Sequence, residues 1–168
     1  MEVKWEEAAD AETKVVCVNL EPDAEPRVEV LSENALVRKA AANAGSYLYE
    51  PHATVMKAGR MDALAARYQL LKVQENSHLY VSSELHEDFF GRIFQIESVF
   101  GMGKAELKSG LADLPAADIT VRNFPMSAAD LRKRLKLRDG GGTTIFATTL
   151  ADGRHALLRC KRVRNDQF

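Results

Sequence analysis

The period of apolar and polar residues changes several times along the chain, and each change marks an element. Lys14–Leu20 is a β-branched run that predicts a strand, and Arg27–Val30 alternates as a second. Between them Glu21-Pro22-Asp23-Ala24-Glu25-Pro26 reads as a turn, because two prolines among acids cannot continue a ladder. The pair predicts a hairpin. Residues 33–45 are Ala-rich and helix-compatible, closing at Gly45. Tyr47-Leu48-Tyr49-Glu50-Pro51 is an aromatic patch ended by proline. His52–Gly59 and Met61–Tyr68 predict short helices, and short strands follow near Leu70–Val73 and Leu79–Ser82, with Asn76-Ser77 in the turn.

From Arg92 the pattern is cleaner. Ile93–Val99 predicts a strand, and Lys104–Leu114 a helix with Leu107, Leu111 and Leu114 on one face. Ile119–Phe124 alternates as a strand that Pro125 ends. Ser127, with Asp130 three residues on, predicts the start of a helix running to Leu137. Asp139-Gly140-Gly141-Gly142 breaks it. Thr143–Leu150 and His155–Val163 predict strands joined by Ala151-Asp152-Gly153. The last part therefore reads β-α-β-α-β-β, and the first as a looser β-rich unit, with the boundary placed at Glu87–Gly91. The expected subdomains are 1–90 and 91–168.

Composition bounds this picture. The chain has 168 residues, 46% hydrophobic and 28% charged, room for one domain or two small ones. A disordered tail, a collagen-like fibre and a disulfide scaffold are excluded. Cys17 and Cys160 have neither CxxC nor metal-ligand spacing and predict two buried, reduced thiols, as in a cytoplasmic protein. No apolar run approaches the roughly 18 residues of a membrane span. The acidic start, Met1-Glu2-Val3-Lys4-Trp5-Glu6-Glu7, is no signal peptide. No membrane, metal or cofactor partner is expected for this chain. The net charge of −1 conceals −6 over residues 1–50, −2 over 51–119 and +7 over 120–168.

Catalytic chemistry finds thin support. His52, His78, His86 and His155 match no common zinc spacing. Glu84, Glu87 and Asp88 surround His86, so an enzyme built on His78, His86 and Glu84 requires those side chains to converge. Gly101-Met102-Gly103-Lys104 resembles a phosphate-binding turn but lacks the third glycine and the GK[ST] ending. The basic tail carries more. Arg132, Lys133, Arg134, Lys136 and Arg138 cluster on one helix and its end, while Arg159, Lys161, Arg162 and Arg164 charge the last strand. Such clusters bind polyanions, because phosphate contacts dominate affinity. The glycine run 140–142 offers backbone amides nearby. A solvated face paired with the acidic half is the alternative.

Four segments in order resemble a known family: Gly45–Pro51, Asn76–Tyr80, Ile119–Pro125 and Leu135–Gly141, with Phe146–Leu150 also fitting. They are similar to the C-terminal region of bacterial class I S-adenosylmethionine-dependent methyltransferases, a ferredoxin-like segment followed by a THUMP-like domain. The resemblance covers most of residues 14–163. It implies that methyl transfer and S-adenosylmethionine belong to a catalytic domain outside this chain, which is expected to be a C-terminal part with no catalytic residues of its own. The same β-α-β-α-β-β order is similar to the C-terminal domain of translation initiation factor 3.

The expected fold is thus α+β, a ferredoxin-like subdomain followed by a THUMP-like βαβαββ sandwich. The expected function is substrate recognition, with RNA as partner. Arg132, Lys133, Lys136, Arg138, Arg159 and Lys161 are the expected phosphate contacts, and Arg122 and Asn123 are expected to position a nucleotide. In the competing expectation the chain is a docking module for the parent methyltransferase domain or a second copy. Tyr47, Tyr49 and Met56 would then form the apolar interface.

Overall fold

The computed structural model describes residues 14–20, 22, 24–32, 36–40 and 45–163. The chain opens with the predicted hairpin, β1 (Val15–Asn19) against β2 (Arg27–Leu31), with Val16 opposite Val30 and Val18 opposite Val28. The helix predicted over 33–45 does not form where it is described. Residues 36–40 are extended, and Lys39 bridges Lys72 through Ala40 N–H to Lys72 O at 2.7 Å and Lys72 N–H to Arg38 O at 2.8 Å. Residues 33–35 and 41–44 lie outside the described residues. Alanine content favoured a helix, but pairing with a strand edge outweighs so weak a preference.

The other elements stand close to their predicted places. They are β3 (Tyr47–Pro51), α1 (Ala53–Lys57), α2 (Met61–Arg67), β4 (Leu71–Lys72) and β5 (Tyr80–Ser82), then β6 (Gly91–Phe100), α3 (Lys104–Gly110), β7 (Asp118–Arg122), α4 (Ala128–Leu135), β8 (Thr143–Thr149) and β9 (His155–Arg162). Ser127 caps α4 as expected, its Oγ accepting the Asp130 N–H at 3.1 Å. The Asn76-Ser77-His78 turn holds itself: Ser77 Oγ donates to Gln74 O at 2.9 Å and accepts from Leu79 N–H at 3.3 Å.

Strands β3 to β9 form one seven-stranded sheet in the order β4-β5-β3-β6-β9-β8-β7. Only β7 and β8 are parallel, as the α4 crossover between them requires. The sheet is continuous across β3 and β6, so the two halves of the chain share a ladder. Gly91 sits at that junction opposite Pro51, where an added Cβ would come within 2.2 Å of Glu50 O.

The sheet curls until its concave face packs on itself. Leu48, Val73, Leu79 and Val81 from one half meet Phe94, Phe146, Leu158 and Cys160 from the other in a single core. Phe94 and Phe146 lie edge to face, 4.8 Å between centroids. Two covers bury the convex face. The hairpin, α1 and α2 pack Cys17, Leu31, Val55 and Leu64 over Tyr49, Tyr80, Phe89 and Ile93. Helices α3 and α4 pack Leu107, Leu131 and Leu135 over Ile145, Ala147 and Leu157. This is the expected placement of two helices on one face of a four-stranded sheet.

Both cysteines are buried and free. Burial pushes the Cys160 thiol up to about 12 and raises that of Cys17. Thiolate is the reactive species, so a thiol reagent at pH 7.5 is expected to label neither cysteine of the folded chain while labelling both in urea. Fast labelling of the native protein would contradict this packing.

Candidate nucleic-acid interface

Each expected phosphate contact has a definite place, and the set divides in two. Arg159 is spent: its Nε donates to Glu97 at 3.1 Å, and its two amino groups donate to Asp113 at 2.7 and 3.2 Å. The hydrogen bond to Asp113 holds Arg159 above its ordinary range. Lys161 pairs with Glu97 at 2.8 Å. Both pairs exist because a β-bulge at Ile96–Ser98 turns Glu97 toward this face, which no sequence period reveals. Arg132 closes the α4 turn, donating to Ala117 O at 3.0 Å and Arg138 O at 3.1 Å and pairing with Asp139 at 2.6 Å.

Lys133, Arg134, Lys136 and Arg138 are exposed, and none has an ion-pair partner among the described residues. Arg134, outside the expected contact set, belongs with the other three. The local backbone explains their display. Helix α4 buries Leu131 and Leu135, so the intervening cations face solvent. It ends in a Schellman motif: Leu137 N–H bonds Arg132 O at 3.4 Å and Lys136 N–H bonds Lys133 O at 3.3 Å. The left-handed residue of that motif is Lys136, at φ 57°, where glycine is the usual occupant. Gly140, Gly141 and Gly142 follow, all at positive φ, and their amides have no hydrogen-bond partner among the described residues. The stretch 133–142 thus sets four exposed cations beside three glycine amides that have no hydrogen-bond partner among the described residues. Lys136→Gly is expected to stabilise the chain by about 1 kcal/mol while weakening polyanion binding. Chemical denaturation beside a binding titration checks both signs.

The turn at Gly101–Lys104 holds no place for a phosphate. The Glu106 carboxylate accepts the Gly101 and Gly103 amides at 3.1 and 3.2 Å, filling the position an anion would take. The side chains that a catalytic reading requires are not all brought to one groove. His86 and Glu84 line one groove with Arg38, Arg67 and Tyr68, but His78 is not among its lining residues. His52 caps α1 by accepting Thr54 N–H, and His155 meets Thr149 and Phe124. Among the described residues, no group of three or more His, Cys, Asp or Glu is placed to hold a metal, and no helix is long and apolar enough to cross a membrane.

Of the three residues expected to form an apolar interface, Tyr49 lies inside the protein. Tyr49 is fully buried, its hydroxyl donating to Glu84 O at 2.6 Å and accepting His86 N–H at 3.0 Å, and burial pushes it up to about 12. Tyr47 packs against the same core, and Met56 is half-buried on α1. A strand covered on both faces buries alternate residues equally, so aromatic content did not mark a surface.

Arg122 and Asn123 stand elsewhere, where the two ends of the curled sheet meet. Glu50, 1% exposed, lies between two arginines. Arg92 donates to its Oε2 through Nε at 2.7 Å and through Nη2. Arg122 donates to its Oε1 through Nε at 3.0 Å and Nη2 at 2.6 Å. Asn123, at φ 53°, donates from Nδ2 to Gln74 Oε1 at 2.7 Å, and its carbonyl accepts from Thr149 Oγ1 at 2.7 Å. Arg92 was missed from the sequence. The available signal was Glu50 in a run destined for burial, which obliges some cation to face it.

The fold and these surfaces define an α+β module, a ferredoxin-like domain followed by a THUMP-like sheet domain. Residues 47–89 match a family model described as a ferredoxin-like domain, and residues 91–162 one described as THUMP domain-like. The solved structure of a "putative methyltransferase" from Porphyromonas gingivalis W83 is similar, with a TM-score of 0.80 and 33% identity over 90% of this chain. This chain spans 38% of that protein's length. No curated protein matches the chain.

Proposed function

We propose that this chain is the RNA-capturing module of an S-adenosylmethionine-dependent methyltransferase, itself noncatalytic, and that stretch 133–142 holds the RNA backbone. The observation that supports this reading most is the division among the cations. Arg132, Arg159 and Lys161 are spent on carboxylates or carbonyls, whereas Lys133, Arg134, Lys136 and Arg138 are not. One of the four also accepts a left-handed backbone to stay there. The THUMP-like match of the surrounding domain and the methyltransferase likeness of the whole point the same way. The test is a fluorescence titration of the full chain with a labelled single-stranded RNA. Saturable binding that weakens steeply with salt is expected, and none at 50 mM salt overturns the reading.

A second surface favours docking as an additional role. The outer face of the hairpin carries Val16 at 57%, Val18 at 39%, Val28 at 52% and Val30 at 43% exposure, an apolar stripe across both strands. Contiguous apolar surface of this kind marks interfaces. The occupant we assign is the methyltransferase domain, because the Porphyromonas gingivalis protein extends well beyond the part matched here. A photo-cross-linker at Val18, in a chain that carries both parts, should capture that domain. Cross-links to solvent alone would remove the assignment.

A further inference from the structure

We infer that Arg92 and Arg122, held by Glu50, form a second anion site that takes a single phosphate group. This rests on the RNA reading only for whose phosphate it is. One arginine fork supplies the single counter-charge that a buried carboxylate requires. Glu50 has two, so the cluster carries a net positive charge. Each guanidinium turns its Nε–Nη2 edge inward to the carboxylate. Their side chains remain 43% and 33% exposed. The Nη1 group of Arg92 has no partner among the described residues, and that of Arg122 donates only to Val121 O at 3.1 Å. Both guanidinium groups, gathered on the two oxygens of one carboxylate, therefore keep N–H donors that Glu50 does not take.

The geometry is preorganised. The β3–β6 register sets Arg92 directly opposite Glu50, and the Arg92 guanidinium lies 5.7 Å from the centre of the Phe94 ring. Arg122 ends β7, and its neighbour Asn123 is tied to Gln74 across the sheet. Arg162 follows on β9 opposite Phe94, two positions along β6 from Arg92. Planar forks with immobilised stems suit a tetrahedral oxyanion, because little side-chain entropy remains to be lost on binding. The ligand class is a phosphate, supplied by a phosphodiester of nucleic acid or by a free phosphate.

The test follows the arginine Nε–H resonances of the full chain by NMR during two titrations, one with inorganic phosphate and one with a short single-stranded RNA. Saturable shifts at Arg92 and Arg122 are expected in at least one. Shifts with RNA alone assign the phosphate to nucleic acid; shifts with both assign the site to phosphate in general. Arg92→Gln leaves Glu50 paired to Arg122, so it should stay folded and lower the affinity about 10-fold. Lys133→Glu with Lys136→Glu should lower RNA affinity and leave the inorganic phosphate affinity read at the Arg92 and Arg122 resonances unchanged. Absence of saturable shifts in both titrations, or equal affinity in Arg92→Gln, overturns the site. RNA binding through stretch 133–142 survives either failure, and the phosphate site survives a chain that binds no RNA.

Discussion

Arg92→Ala combined with Arg122→Ala is expected to cost about 3–5 kcal/mol of stability, because it strands the Glu50 carboxylate in a site with no counter-charge. For a chain of this length that lowers the melting temperature by about 10 °C. Each single substitution should cost less than half as much, since one arginine still donates two N–H groups to the carboxylate. The sum therefore falls short of the double, a coupling that reports the shared carboxylate. Adding Glu50→Gln to the double variant should recover part of the loss by removing the charge. Thermal unfolding followed by circular dichroism gives all four values. Additive singles, or no recovery with glutamine, would show that the arginines act through packing alone.

Neutralising Lys133, Arg134, Lys136 and Arg138 to glutamine should reduce RNA affinity on the order of 10²–10³-fold at 0.1 M salt. Each single-strand phosphate contact contributes about 0.7 to the slope of log affinity against log salt, so four lost contacts flatten the slope by about 3. Stability should change little, because these side chains are exposed and unpaired among the described residues. Neutralising Arg159 and Lys161 should leave the slope unaltered, since both are committed to Glu97 and Asp113. A similar flattening from both sets would mean that charge, irrespective of place, governs binding.

Much of the architecture was legible from local chemistry. The Ser127 cap and the turns at Asn76-Ser77 and Asp152-Gly153 each have a short-range cause, and each stands where it was expected, whereas α4 stops at Leu135 on a left-handed Lys136, ahead of the glycine run expected to break it. The sequence also resembled the ferredoxin-like and THUMP-like pair that the family models match. What could not be read depends on contacts between distant segments. Arg159 looked as free as Arg138 until the bulge turned Glu97 toward it. Tyr49 looked like a surface aromatic until a second cover lay over its strand. The Glu50–Arg122 pair joins residues 72 positions apart, through a curl that no periodicity encodes.

The shared ladder between β3 and β6 bears on how the molecule comes apart. Had the two family-matched regions been beads on a string, each would melt at its own temperature. Here the concave core draws Leu48 and Val81 from one and Phe94, Phe146 and Leu158 from the other. A cut between Phe90 and Gly91 would strip the β6 edge of its partner and open half of that core to water. The two regions should lose structure together, in one transition seen equally by every probe. Anything that grips the arginines at the rim is then felt by both regions at once.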